Sequence, residues 1–207
     1  DLHSFPTRRS SDLRTSEGKT LTITATGAAI EVGTDSDIKL GGGKTVMTTS
    51  GTHVITTDTG SETSLKGGFD ITGAIQNEGL LTLADQGAAS TLTGDIENNG
   101  TFTLSLTGAG SAYRGAITGN GDTYLTLGAS ARWENKGASE LAKFTGTSGS
   151  SVDMTNSGDT TINEYSGRST FYFPHAAGTP TTMQGGDLTI TRAEAGSHIT
   201  QIGRAHV

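Results

Sequence analysis

Several short runs in this 207-residue chain carry residue types that do chemistry in other proteins. Gly41-Gly42-Gly43-Lys44-Thr45 has the glycines, lysine and hydroxyl that cradle phosphates in a P-loop, but the required glycine five positions earlier is Ile38 and no helix pattern follows. Asp58-Thr59-Gly60-Ser61 matches the aspartic-protease signature. That chemistry needs two aspartates sharing a proton, and no second Asp-Thr-Gly or Asp-Ser-Gly occurs, so a solvent-facing corner is the better reading. Asp122, Asp153 and Asp159 place carboxylates in turns that suit calcium, without the Gly-Gly-x-Gly-x-Asp spacing of calcium-binding rolls. His53, His175 and His198 stand apart, with neither HxH nor HExxH spacing for a metal. Asp70, Glu78, Asp85, Asp95 and Glu97 are the carboxylates a polysaccharide lyase or hydrolase would gather on one face; their scatter reads as surface solvation. Tyr113 and Trp133 raise an aromatic ladder for sugars, but with Trp133 aligned against Ala112 they read as corner packing. No catalytic, cofactor-binding or metal-ligating residue is therefore assigned, and no cofactor is expected.

The elements that would position such residues repeat. From Thr72 the chain reads TGAIQNEGLLTLADQGAASTL, from Thr93 TGDIENNGTFTLSLTGAGSAY, and from Arg114 RGAITGNGDTYLTLGASARWE. Gly73, Gly94 and Gly115 are 21 residues apart; so are Ile75, Ile96 and Ile117, Gly79, Gly100 and Gly121, and Leu83, Leu104 and Leu125. A fixed period of this length marks a solenoid or other repeat array. Apolar residues alternate with threonine in TLTIT, TFTLSL and DLTITR, the pattern of strands with one face buried.

Stacking the copies puts Ile75, Ile96 and Ile117 in one interior column and Leu83, Leu104 and Leu125 in another; a third column weakens where Leu81 and Phe102 give way to Thr123. Each fully buried Ile or Leu contributes about 1.5–3 kcal/mol. Gly79, Gly100 and Gly121 are expected at corners with positive φ. The only helix-like stretch, ASELAKF at 138–144, is short enough for a single turn. The fold expected is all-β: a right-handed parallel β-helix of about 21 residues per coil. A flat array of hairpins is the alternative. Outside 72–134, GKTLTITATG restates a strand, GGGKTVMTTSGTHVITTD reads as two strands, and MTNSGDTTIN restates the Asn-x-Gly turn with its following strand. Together these predict one elongated domain of about eight coils.

The flanks differ. Residues 1–13, DLHSFPTRRSSDL, resemble a translated reading frame of a sequencing adapter, and IGRAHV at the other end resembles the matching one. Residues 1–13 and 201–207 are accordingly expected to be artefactual and residues 14–200 to be the β-helix, with its clearest repeats at 72–92, 93–113 and 114–134. The composition adds exclusions. Hydrophobic content is 31%, against about 45–50% in ordinary globular domains; such a figure also fits a disordered polar chain, against which the 21-residue period and the short alternating runs argue. A net charge of −7 disfavours nucleic acid, which needs clustered cations. No cysteine is present for a disulfide or thiolate metal site, and no apolar run reaches the roughly 18 residues of a transmembrane helix.

The Thr-Leu-Thr-Ile strands, the Asn-x-Gly turns at 77–79, 98–100 and 156–158, the abundant Gly, Ser and Thr, and the missing cysteine resemble the passenger region of bacterial type V autotransporters. The stretch HAAGTPTTMQGGDLTITRAEAGSHIT resembles a segment that recurs in such passengers. The resemblance implies export to the cell surface, folding there into a β-helix, and anchoring by a C-terminal β-barrel downstream. It carries over no catalytic residue. The function expected is a surface stalk or adhesin whose partners are host or matrix glycans or proteins, or a second copy of itself. A β-helical carbohydrate-active enzyme and a self-associating biofilm scaffold are the rivals.

Overall fold

The computed structural model describes residues 9–174 and 186–203. Among them all regular structure is β and every strand pairing is parallel, which removes the hairpin array. The chain winds as a β-solenoid of about seven turns, with equivalent strands about 21 residues apart. Each coil has three faces. In the best-formed coil these are Ile96–Asn98, Thr101–Leu106 and Ala112–Arg114.

Three interior stacks follow from the alternation. On the first face Ile30, Ile55, Ile75, Ile96 and Ile117 lie in register. On the second, Leu40, Leu65, Leu83, Leu104, Leu125, Phe144 and Tyr165 do so. The third holds Met47, Ile71, Leu92, Tyr113, Trp133, Val152 and Phe171. All of these are buried, while Thr82 and Thr103 between them point outward. A single coil cannot bury these side chains by itself; each is closed by the coils above and below it.

Three expectations change in detail. Gly79, Gly100 and Gly121 do not have positive φ; among the column glycines that conformation belongs to Gly73 and Gly94. Glycine is needed at Gly100 and Gly121 because stacked corners nearly touch: a Cβ on Gly100 would lie 2.1 Å from the Gly79 oxygen, and one on Gly121 2.1 Å from that of Gly100. The stretch 138–144 is no helical turn but opens the strand Ser139–Asp153, with Leu141 under Ile162 and Phe144 under Tyr165. Its buried positions alternate around a tight corner, and that interior placement overrides the helix propensity of Glu, Leu, Ala and Lys. The Asn-x-Gly turn at 156–158 lies at a different corner from the other two: it enters the first face, stacked on 137–138, whereas 77–79 and 98–100 leave it.

The described flanking residues continue the parallel pairing with their side chains exposed. The strand Arg9–Ala25 pairs Leu13 with Leu40, yet Leu13 is 48% exposed; Ile202, in the strand His198–Ile202, is likewise 48% exposed.

Candidate functional site

The structure disperses most of the residues singled out by type. Gly41 to Thr45 run inside the strand Ser36–Thr57, where Lys44 pairs with Asp70 at 2.5 Å. Asp58 to Ser61 form a corner in which the Ser61 hydroxyl donates to the Asp58 carbonyl at 2.6 Å. His53 lies beside Ala74 and His198 beside Arg168, several coils apart, and His175 is outside the described residues. Among the described residues no three His, Cys, Asp or Glu side chains gather as a metal site.

Tyr113 and Trp133 stack on each other with ring centroids 6.1 Å apart and planes 11° apart, fully buried. They are interior packing on the third face rather than corner packing or an exposed sugar platform. Trp133 stacks on Tyr113, not Ala112, because the loop at 128–131 is one residue shorter than that at 107–111. The Tyr113 hydroxyl donates to the Ala116 carbonyl at 2.7 Å, and the Trp133 Nε1–H to the Gly115 carbonyl at 3.0 Å.

The carboxylates divide by role. Asp70 faces out and is held below its usual range because hydrogen bonds from Lys44 and Thr91 outweigh the effect of burial. Asp85 is not a surface group at all. It is buried behind the second face, where Oδ1 accepts from the N–H of Gly87 (3.1 Å) and the hydroxyl of Thr107 (2.7 Å). Oδ2 accepts from the N–H of Gly108 (2.9 Å) and the hydroxyl of Ser111 (2.7 Å), and the Thr107 N–H reaches both oxygens. Burial alone would raise this carboxyl; the donors overcome it and hold it low. Asp95 accepts the Ala116 N–H at 2.8 Å, so it too links coils.

A buried amide ladder accompanies the first corner. The Thr57 hydroxyl donates to Asn77 Oδ1 (2.5 Å), Asn77 Nδ2 to Asn98 Oδ1 (2.6 Å), and Asn98 Nδ2 to the Thr123 hydroxyl (3.0 Å). Thr123 thus interrupts the Leu81–Phe102 column because it closes this ladder. These polar groups are satisfied and structural.

One surface feature was not legible in the sequence. In the coils before it, a protruding turn separates the first face from the second: 99–100 in one coil and 119–121 in the next. The coil that follows omits that turn, passing from Leu141 through Ala142 to Lys143, so pairing with the second face resumes only at Tyr124 against Lys143. Asp122 and the turn before it therefore overhang the next coil as a ledge. Strand Ile117–Thr118 pairs with Ile96–Asn98 behind it, while on its other side the Ile117 N–H goes to the Ser139 hydroxyl at 3.0 Å. Two adjoining depressions result, of about 280 and 150 Å³, sharing Gly119 and Glu140. The larger adds Thr118, Asp159 and Thr161; the smaller adds Asn120, Asp122 and Asn163. Of the three aspartates considered for calcium, Asp122 and Asp159 thus reach opposite ends of this groove, whereas Asp153 is tied to Thr155, accepting its N–H (2.9 Å) and hydroxyl (2.6 Å).

The lining is acidic through Asp122, Glu140 and Asp159, and the charges beside it are balanced. Lys143 donates to Glu164 at 2.5 Å and Glu194 at 2.7 Å, and Arg192 also pairs with Glu164. Hydrogen bonding from Lys143, then from Arg192, brings the Glu164 carboxyl down to about 2. The nearby cations are neutralised in that network.

No family model, curated protein or solved structure matches the chain.

Proposed function

We propose that the chain is part of the passenger of a surface-exposed autotransporter, serving as a stiff stalk with an adhesive face. The observation that supports this most is the continuous interior. Two in-register stacks, Leu40 to Tyr165 and Met47 to Phe171, continue past the coil where the first stack ends at Ile117, and about seven turns at about 4.8 Å each make a rod of roughly 34 Å. The outward positions are mainly hydroxyl, amide and charged side chains, which suit a surface in contact with water and polar partners. In this reading residues 14–200 are passenger sequence, the flanks are adapter-derived, and a barrel downstream holds the solenoid at the outer membrane.

Two measurements test it. Sequencing the gene across both junctions is expected to replace the flanks with further coil-like sequence and lead to a barrel; a frame without any surface anchor overturns the assignment. Cells displaying residues 14–200 on an unrelated barrel are expected to attach to matrix- or glycan-coated surfaces better than cells with the barrel alone. Equal attachment, with the solenoid shown to be on the surface, overturns the adhesive role.

A carbohydrate-active enzyme is the second reading, favoured by Asp122, Glu140 and Asp159 lining adjoining depressions. Release of reducing ends from polysaccharide, abolished by Glu140→Gln, distinguishes it.

A further inference from the structure

We infer that the groove under the 119–122 ledge is a binding site for a short neutral oligosaccharide. The inference rests on the adhesive reading above and supplies its ligand class.

The groove is shaped by backbone. The Asn120 N–H is held by Asn99 Oδ1 (3.3 Å), the Asp122 N–H by the Gly100 carbonyl (2.9 Å), and the Ser139 hydroxyl by Asn135 Oδ1 (2.9 Å). A ligand meets a preformed surface and pays little to order it. Asp159 already accepts the Asp187 N–H and Thr118 donates to the Ile96 carbonyl, but four side chains on that surface are uncommitted: among the described residues Asn120, Asp122, Glu140 and Asn163 have neither a hydrogen-bond nor an ion-pair partner through their side chains. Two carboxylates and two amides offer what a sugar ring uses, since hydroxyls donate to carboxylates in charge-assisted bonds and accept from amide N–H groups.

Charge selects among ligands. The acidic lining repels uronic acids, sialic acids and phosphates, because Lys143 and Arg192 are already paired with Glu164. An extended peptide would need a free strand edge, and here the Ile117 N–H is occupied by Ser139. Size agrees: the larger depression, about 280 Å³, is near the lower end of small-molecule sites, about 300–1,000 Å³, and the smaller prolongs it.

The test is a titration of the ¹⁵N-labelled full chain followed by amide chemical shifts. The probes are maltotriose, cellotriose and chitotriose, with trigalacturonic acid and tetralysine as contrasts. At least one neutral trisaccharide is expected to shift the amides of Asn120, Glu140 and Asn163 with a Kd of about 1 mM, and trigalacturonic acid to shift none of them. Glu140→Gln is expected to weaken binding by about tenfold with an unchanged fold, while Thr103→Ser, outside the groove, leaves it intact. Silence of the groove toward all three neutral sugars, shifts mapping elsewhere, or tetralysine binding in their place overturns the inference. If the groove is silent and displaying cells still attach, the ligand class is wrong and the adhesive reading stands. If the groove binds sugar and displaying cells do not attach, the adhesive reading fails alone.

Discussion

Ile96 and Thr103 are separated by one corner and face opposite ways, one into the first stack and the other to solvent. Ile96→Asp puts a charge between Ile75 and Ile117 with no partner within the stack, and is expected to cost more than about 4 kcal/mol, enough to prevent folding. Thr103→Ser is expected to stay within about 0.5 kcal/mol. Urea midpoints compare the two, and a large loss for Thr103→Ser would mean that the faces are inverted. Asp85 makes a subtler case. Both of its oxygens accept backbone N–H groups, so Asp85→Asn turns an NH₂ toward a buried donor in either orientation; a loss of about 2–3 kcal/mol at neutral pH is expected. The sign with pH is fixed by the direction of the shift. Its folded value lies below the ordinary 3.8, so the charge favours the folded chain above that value and its contribution disappears as pH falls through the folded value. The gap between wild type and Asp85→Asn should hold from pH 7 to about 4 and narrow below; a gap that is constant to pH 2 would show that the carboxylate is not the stabilising form. Little in the local sequence marks Asp85 as buried, because apart from Gly87 its donors Thr107, Gly108 and Ser111 lie a full coil away.

At the level of elements, the corner column Gly79, Gly100 and Gly121 was visible as a spacing, but its cause was not. Single-chain rules tie a recurrent corner glycine to positive φ; in a solenoid the nearest obstacle is the same corner one coil away. Gly100→Ala is therefore expected to destabilise by about 2 kcal/mol or more, because the added methyl meets the Gly79 carbonyl and backbone must move. Gly110→Ala, where nothing lies within 4 Å but φ is +79°, isolates the conformational cost alone, about 1 kcal/mol. A smaller loss at Gly100 than at Gly110, by thermal or urea unfolding, would restore the positive-φ account. The same distinction explains what else was legible. Columns one period apart, such as Ile75–Ile96–Ile117, could be read by counting. The Tyr113–Trp133 stack could not, since a one-residue deletion in the intervening loop shifts the count. The ledge was hidden for the same reason: it arises from a turn that the coil containing Leu141 lacks, and ASELAKF gives no local sign of the missing turn.

For the whole molecule, the stacks imply a stability that depends on position. In a solenoid each coil draws its burial from its two neighbours, so stability is close to a sum of nearest-neighbour terms and the outer coils have one neighbour fewer. The central strands Ile96–Asn98 and Thr101–Leu106 bury Ile96, Phe102, Leu104 and Leu106 completely. In contrast, the strand Leu188–Ala193 has no fully buried residue, and the start of Arg9–Ala25 is almost wholly exposed. Hydrogen exchange should therefore grade along the axis. Amides of Ile96 and Leu104 are expected to exchange only through global unfolding, and those of Thr189, Arg192 and residues 11–14 at least about a hundredfold faster, a difference of about 2.7 kcal/mol. The salt-bridge network around Glu164 lies on the exposed side of this gradient and is screened, so added salt should change the outer rates little. Uniform protection from end to end would contradict nearest-neighbour coupling and require the coils to fold as one unit. Protection that collapses between Leu127 and Ser139 would instead make the ledge a boundary between two separately stable stacks, and the rigid stalk would lose its main support.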